Sequence, residues 1–331
     1  MTTLWDTTGT DVVKALTADR RAAGSVASGL ALTLVVVVDE KRVSEAEQAA
    51  TRAAAQHPCR LLVVVRRRPD APEPRLDAEV LIGGRLGPGE AVVMRMYGRL
   101  ALHAESVVLP LLAPDTPVVT WWFGEPPKLI AHDPLGVFAD RRITDVHVAA
   151  DPVAALRQRA VDYAPGDTDL AWARSTLWRG LCASAFDAVS AVARSATVTG
   201  EAGSASRGLL AGWLRSRLGI EVELSDDAGP GISGVRIELD DDTVLGLSRR
   251  DARMATVSRS GQADQMMPLP RRELGDQLAE ELRRLDADET YAEALGAATG
   301  VGDLADRPAL RTHVWQDPAE APDLDPALTT S

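Results

Sequence analysis

The order of apolar and polar residues predicts two βαβ units, the first of them near the start of the chain. Residues 30–38, LALTLVVVV, are apolar at almost every position, which is typical of a strand buried on both faces of a parallel sheet. The alanine-rich segment that follows predicts a helix, with Ser44 and Glu47 as a capping box. Residues 61–65 then form a second buried strand, which completes the unit.

A second βαβ unit is predicted after the middle of the chain. A strand at 196–199, a helix at 206–218 and a strand at 220–224 follow one another there. In each half, shorter runs predict antiparallel strands, among them a hairpin that pairs residues 80–82 with 91–96 around a Gly/Pro turn. The sequence therefore predicts an α/β fold of two similar βαβ-containing halves with mixed parallel and antiparallel sheets.

The predicted domain organisation follows from these two units. An N-terminal α/β domain covers residues 1–150, connecting helices cover 151–190, and a C-terminal α/β domain covers 191–312. Residues 313–331 are acidic and rich in proline with little to bury, so we expect a mobile tail.

The helix predicted at 168–187 carries large side chains on two faces. At about 100° per residue, Trp178 falls on a face with several leucines, whereas Trp172, Arg179 and Phe186 recur on the opposite face. A helix with large side chains on two faces is usually buried between two bodies. We therefore expect this helix to connect the two halves.

Composition and charge exclude several classes of partner. The net charge is −12 and no basic patch is concentrated enough to offset it, which argues against nucleic acids and anionic membranes. The longest apolar run is about half of what a membrane span needs. The first residues include Asp6 and Asp11 and show no secretory pattern, so we expect a cytoplasmic protein. Cys59 and Cys182 are too far apart for a CxxC motif or a cysteine-based zinc site, and we expect both to be reduced.

Gly229, Gly231 and Gly234 match the GxGxxG pattern of dinucleotide-binding loops. The pattern lies between the strands predicted at 220–224 and 235–239, whereas a dinucleotide site needs a helix directly after the glycines. We therefore predict a hairpin turn at this position.

A weak candidate for an anion site is the stretch TGEAGSASRG at 199–208, where a strand leads into a helix. Free amides at the helix start, together with Ser204, Ser206 and Arg207, could hold a phosphate or a carboxylate. Glu201 would repel such an anion. The alternative is a helix start that is simply capped by serine.

Trp121 and Trp122 end a predicted strand, and the alternation of side chains directs them to opposite faces of the sheet. Tryptophan is enriched among interface hot spots, so both are candidates for binding a partner. Trp172 and Arg179 join them if these two side chains face solvent. The alternative is that the strand tryptophans pack helices in the core.

The residues that could carry chemistry show no catalytic pattern. The five histidines have no HxxxH or HExxH spacing, and no GxSxG nucleophile motif occurs. We therefore predict no catalytic residue, no metal ligand and no cofactor, and a protein that is not an enzyme.

Four stretches carry a resemblance to one family: WDTTG at 5–9, LPLLAPDTPVVTWWFGEPP at 109–127, DLAWARSTLWR at 169–179 and LLAGWLRSRLG at 209–219. They resemble the bacterial glucose-6-phosphate dehydrogenase assembly proteins, also called OpcA. The resemblance implies a non-catalytic partner that promotes assembly or activation of glucose-6-phosphate dehydrogenase, at the entry to the oxidative pentose phosphate pathway.

Two expectations accompany this resemblance. Some members of the family are thought to respond to redox state through cysteines, whereas Cys59 and Cys182 are predicted here as small core residues. The alternative from a different functional class is a nucleotide- or sugar-phosphate-binding α/β enzyme, which would account for the βαβ units alone.

Overall fold

The computed structural model describes residues 1–24, 29–83, 89–187 and 189–308. These residues fall into two compact units, Met1–Arg142 and a second unit that starts at Ile143. The predicted tail at 313–331 lies outside the described residues. The finer division predicted from the sequence, with connecting helices at 151–190, stays a prediction.

The first unit is built on a mixed sheet. Its elements are β1 (Thr2–Leu4), α1 (Gly9–Ala22), β2 (Leu32–Val38), α2 (Val43–Ala54), β3 (Cys59–Arg67), β4 (Arg75–Ile82), β5 (Glu90–Tyr97), α3 (Arg99–Leu102), α4 (Glu105–Val108), β6 (Val118–Phe123) and α5 (Pro134–Val137), with β7 (Arg141–Thr144) at the boundary. The strand order is β1-β4-β5-β3-β2-β6. Strands β5, β3, β2 and β6 run parallel, whereas β4 is antiparallel to β5 and β1 to β4.

The first predicted βαβ unit is confirmed by β2, α2 and β3, whose strands pair in parallel from Leu32↔Cys59 to Val38↔Val65. The central strands are buried because their branched apolar side chains fill both faces of the sheet. The predicted capping box is wrong. A short 3-10 turn at Glu40–Arg42 leads directly into α2, so Ser44 already lies inside the helix and no side chain caps it.

The second unit contains the second βαβ arrangement. Its elements are α6 (Pro152–Asp162), β8 (Asp167–Asp169), α7 (Leu170–Phe186), β9 (Ala193–Gly200), α8 (Ala205–Leu218), β10 (Glu221–Asp226), β11 (Ile232–Leu239), β12 (Val244–Arg249), β13 (Met254–Arg259), β14 (Gln265–Pro268), α9 (Leu274–Leu282) and α10 (Glu289–Thr299). The strand order is β10-β9-β11-β12-β13-β14, in which β9 and β10 are parallel and the other pairs antiparallel. The predicted fold class, two βαβ-containing halves with mixed sheets, is confirmed.

The predicted hairpin at the GxGxxG pattern is wrong. Strands β10 and β11 do not pair with each other, because β9 lies between them and pairs with both. The loop with Gly229 and Gly231 therefore crosses the end of β9 rather than closing a hairpin. It leads into a strand and not into a helix, so the context of a dinucleotide-binding loop is missing here.

Helix α7 has buried side chains on two faces, as its sequence predicts. Trp178 and Cys182 belong to an apolar cluster on the sheet of the second unit, and Phe186 also packs against that cluster rather than on the side of Trp172. Trp172 belongs to a second cluster with Leu209 of α8 and residues of α6 and α10. These contacts lie within the second unit, and a role of α7 in connecting the two halves stays a prediction.

Candidate functional site

Trp121 and Trp122 lie in the interior of the first unit. They sit on β6 opposite Val36 and Val37 of β2, and their side chains are only 0% and 2% exposed. Trp121 makes an edge-to-face contact with Phe123, with ring centroids 5.0 Å apart. In this state neither tryptophan offers a surface to a partner, which favours the alternative of core packing.

Trp172 and Arg179 form a stacked pair on α7. The indole of Trp172 is 2% exposed, and its Nε1 donates to Oδ2 of Asp288 at 2.9 Å. The guanidinium carbon of Arg179 lies 3.4 Å from the centroid of the indole ring, and its nitrogens donate to Ser175 Oγ at 3.1 Å and Thr176 Oγ1 at 2.8 Å. Burial lowers the pKa of Arg179 to about 10. The pair therefore joins α7 to the start of α10, with Arg179 partly exposed at its edge.

The three anion-site candidates have different environments. Ser204 caps α8, since its Oγ accepts from Arg207 N at 3.4 Å. Arg207 is buried, and one nitrogen donates to Gly200 O, Ser225 O and Asp226 Oδ1 at 3.0, 2.8 and 2.7 Å. Arg207 thus ties together the ends of β9 and β10, whereas Ser204 and Ser206 border a cavity.

This cavity, which we call the α8 cavity, has a volume of about 240 Å³ and lies wholly within the second unit. Gly231 lines this cavity and packs closely against Gly200. A Cβ at Gly200 would overlap the carbonyl oxygen of Gly231, and Gly231 has a φ of +67°, so both positions require glycine. Gly231 N donates to Oε2 of Glu201 at 2.9 Å. This hydrogen bond fixes the position of the carboxylate that was expected to repel an anion.

Four arginines border the α8 cavity, and two of them form ion pairs with carboxylates of the same chain. Arg174 makes two hydrogen bonds of 2.7 and 2.6 Å to Asp145. Arg272 forms an ion pair with Glu280 and also donates to Ala173 O.

The other two arginines, Arg249 and Arg271, have no carboxylate partner within the described parts of the chain. Arg249 donates to the backbone oxygen of Leu269 at 2.7 Å, and Arg271 to that of Pro230 at 3.0 Å. Burial, followed by the charge of Arg271, lowers the pKa of Arg249. The two cations therefore lie close enough to repel each other, and in the described residues each is held by backbone oxygen atoms rather than by a carboxylate.

Gln277 of α9 is a further polar residue at the cavity. Its side chain is 7% exposed, and its Nε2 donates to Arg272 O at 2.8 Å, which fixes the orientation of the amide. Its Oε1 is buried and has no hydrogen-bond partner among the described residues, and the same holds for Nε of Arg249. Sequence reasoning missed Arg249, Arg271 and Gln277, because they come from separate segments and carry no motif.

Other chemistry is limited in the residues that the structure describes. No group of three or more His, Cys, Asp or Glu side chains within them could hold a metal ion. Burial raises the pKa of the Cys59 and Cys182 thiols to about 12, so neither is a thiolate near neutral pH. None of the helices within these same ranges is long and apolar enough to cross a bilayer.

Two family models match the chain, one in each half. The model described as the glucose-6-phosphate dehydrogenase subunit N-terminal domain matches residues 50–161, and the one described as the C-terminal domain matches residues 165–295. Together they cover well over half of the sequence. The chain belongs to the glucose-6-phosphate dehydrogenase subunit family, OpcA. The resemblance seen in the sequence motifs is thereby confirmed, and the α8 cavity lies in the C-terminal part of this OpcA-family chain.

Solved structures resemble this OpcA-family chain only weakly. A 3-ketoreductase from Actinomadura kijaniata, KijD10, has a TM-score of 0.44 and 14% identity and covers 83% of this chain and 96% of its own. An oxidoreductase from Sinorhizobium meliloti has a TM-score of 0.44 and 11% identity, with 82% and 95% covered, and an NAD binding oxidoreductase from Klebsiella pneumoniae has 0.42 and 11%, with 83% and 96% covered. Similarity at this level carries no argument about activity. No curated protein matches the chain.

Proposed function

We propose that this chain is a non-catalytic assembly factor or allosteric activator of glucose-6-phosphate dehydrogenase in the cytoplasm, at the entry to the oxidative pentose phosphate pathway. The observation that carries the proposal is the match of both halves to domains described as subunits of that enzyme. A subunit that changes the activity of its partner needs an interface and a folded core, but no catalytic group of its own.

The glycine loops support a non-catalytic role. The loop with Gly229 and Gly231 leads into β11, which contains Gly234, so no helix start follows to meet a pyrophosphate. The α8 cavity, at about 240 Å³, is smaller than the roughly 300–1,000 Å³ clefts that hold drug-sized ligands, and a whole dinucleotide exceeds it.

The partner-facing surface is also a proposal. Of the four partner-binding candidates, Trp121, Trp122 and Trp172 are buried, and Arg179 alone keeps an exposed fraction. We therefore assign a direct contact to Arg179 and a supporting role in the core to the tryptophans. Arg157 of α6, exposed in the same unit, provides a charge-matched control position.

The test is reconstitution of the dehydrogenase with and without this protein. We expect co-purification of the two chains, and a change in kcat, in KM or in the oligomer size of the dehydrogenase when this protein is added. Arg179→Gln is expected to weaken activation, whereas Arg157→Gln leaves it unchanged. If saturating amounts alter neither the kinetic constants nor the oligomer size, the proposed function is wrong.

A second candidate function is a sugar-phosphate-binding or nucleotide-binding enzyme, which the uncompensated Arg249 and Arg271 in the α8 cavity favour. The two candidates differ in what the isolated chain does. An enzyme turns over substrate without the dehydrogenase, whereas an activator free of dehydrogenase shows no NADP-linked oxidation of glucose 6-phosphate. Turnover by such a preparation would replace the first proposal by the second.

A further inference from the structure

We propose that the α8 cavity is a binding site for a small hydroxylated phosphate ester. The first step is its charge. After Arg174 and Arg272 are paired, Arg249 and Arg271 remain without a salt bridge within the described ranges, and Glu201 is the one carboxylate in the lining. Two guanidinium groups without a salt bridge outnumber this single carboxylate, so the cavity retains an excess of positive charge that an anion would neutralise.

The start of α8 adds donors to this charge. Helix α8 is 14 residues long, and Ser204 at its N-cap and Ser206 in its first turn both border the cavity. The N-terminal amides of a helix carry partial positive charge and lack partners within the helix. A phosphate group therefore finds guanidinium groups, hydroxyls and a helix start on neighbouring walls.

The second step is the unpaired amide oxygen. Gln277 Oε1 is a buried acceptor without a partner in the part of the chain that the structure describes, which costs free energy unless a ligand or water supplies a donor. The hydroxyl of an inorganic phosphate dianion sits on the phosphorus that the arginines would hold, whereas a sugar or polyol ester carries further hydroxyl donors at a distance from its phosphate. The site therefore matches a ligand that carries both a phosphate and a hydroxyl.

The third step is size and the apolar wall. Leu177 and Trp178 border the cavity beside the polar residues, and the guanidinium carbon of Arg249 lies 5.3 Å from the centroid of the Trp178 ring. The C–H face of a polyol or sugar can pack against such a wall. The volume of about 240 Å³ accommodates a small metabolite and not a dinucleotide.

The experiment is calorimetric titration of the purified full chain, without dehydrogenase, with glucose 6-phosphate, glycerol 3-phosphate, inorganic phosphate, gluconate and glucose. We expect the two phosphate esters to bind more tightly than inorganic phosphate, and glucose and gluconate to bind more weakly than either. Arg271→Gln is expected to weaken ester binding about tenfold, and the control Arg157→Gln to leave it unchanged.

Gln277→Met tests the hydroxyl contact separately. It is expected to keep the affinity for inorganic phosphate, which also shows that the cavity is still folded, and to abolish the preference for the esters. The proposal is overturned if no phosphate ester binds, if Arg271→Gln has no effect, or if gluconate binds as tightly as the esters. Because the dehydrogenase is absent, failure here is distinct from failure of the reconstitution test.

Discussion

Replacing Trp172 by alanine is expected to destabilise the second unit strongly. The indole is 2% exposed and packs among Leu209, Tyr291 and Leu295, with 5.8 Å between its ring and that of Tyr291. Truncating a buried tryptophan removes these contacts and leaves a cavity, at a cost of about 3–5 kcal/mol. The side chain also holds Asp288 through its Nε1, so α10 loses an anchor to α7.

The same change removes the surface on which Arg179 is stacked. The exposed part of Arg179 can then reach water, which limits the loss from the cation–π contact to about 1 kcal/mol. For a unit of this size, about 3–5 kcal/mol corresponds to a fall in Tm of about 6–20 °C. Trp172→Phe keeps most of the ring contacts and loses the hydrogen bond to Asp288, so a smaller fall is expected.

The assay compares the Tm and the activation of glucose-6-phosphate dehydrogenase for the wild type, Trp172→Ala and Trp172→Phe. Trp5→Ala is the control, because Trp5 is 67% exposed and its truncation is expected to leave Tm nearly unchanged. If Trp172→Ala keeps its Tm within about 2 °C and loses activation alone, Trp172 contacts the partner and the core reasoning is refuted. If Trp172→Ala keeps both its Tm and its activation of the dehydrogenase, Trp172 neither stabilises the core nor contacts the partner.

Three further predictions follow from the packing and from the pKa shifts. Gly212→Ala is expected to lower the free energy of unfolding in urea by about 1–3 kcal/mol, because a Cβ there would overlap the carbonyl oxygen of Ala294. Gly208→Ala on the same helix is the control: its Cβ meets nothing within 4 Å, so it is expected to raise the free energy of unfolding by about 0.5–1 kcal/mol. Equal effects of the two variants would contradict this packing of α8 on α10. Burial and the charge of Asp145 raise the pKa of Asp169 from 3.8 to about 7, so the folded state holds this proton more tightly than the unfolded chain. Stability should therefore fall as pH rises between these two values, and Asp169→Asn should flatten the profile of urea midpoints; an unchanged slope would count against the shift. Cys59 and Cys182 are expected to resist alkylation at pH 8 until the protein unfolds, as mass spectrometry of the labelled protein would reveal, and rapid labelling of the native protein would show that the thiols are accessible.

The sequence by itself determined the elements whose apolar pattern is strong. Strands β2 and β3 are recognisable because they are apolar on both faces, and β6 ends where Gly124 and two prolines follow it. The order strand, helix, strand in each half then implies a parallel pair, since a parallel connection needs a crossover. The family motifs also needed no structure, because they depend on residue identity alone.

Elements with a weak pattern were not predicted. Helix α1 buries only Val12 and Leu16 completely, and α10 buries two alanines beside Tyr291 and Leu295, so each has few large apolar positions to mark it in the sequence. Helix α10 is stable because small residues allow a close approach to α8 at Gly212. That benefit exists only between helices, and the sequence of either helix does not show it.

Tertiary structure alone decided which candidates share a site. Ser204 and Ser206 meet Arg249, Arg271 and Gln277 because the strand order β10-β9-β11 brings the loops after β9 and β10 together at Gly200 and Gly231. The same strand order turned a predicted hairpin into a loop that crosses the end of β9. Burial of Trp121, Trp122 and Trp172 is likewise a property of packing. A motif reports local backbone preference, whereas a cavity or a buried surface depends on which distant segments of the chain pack together.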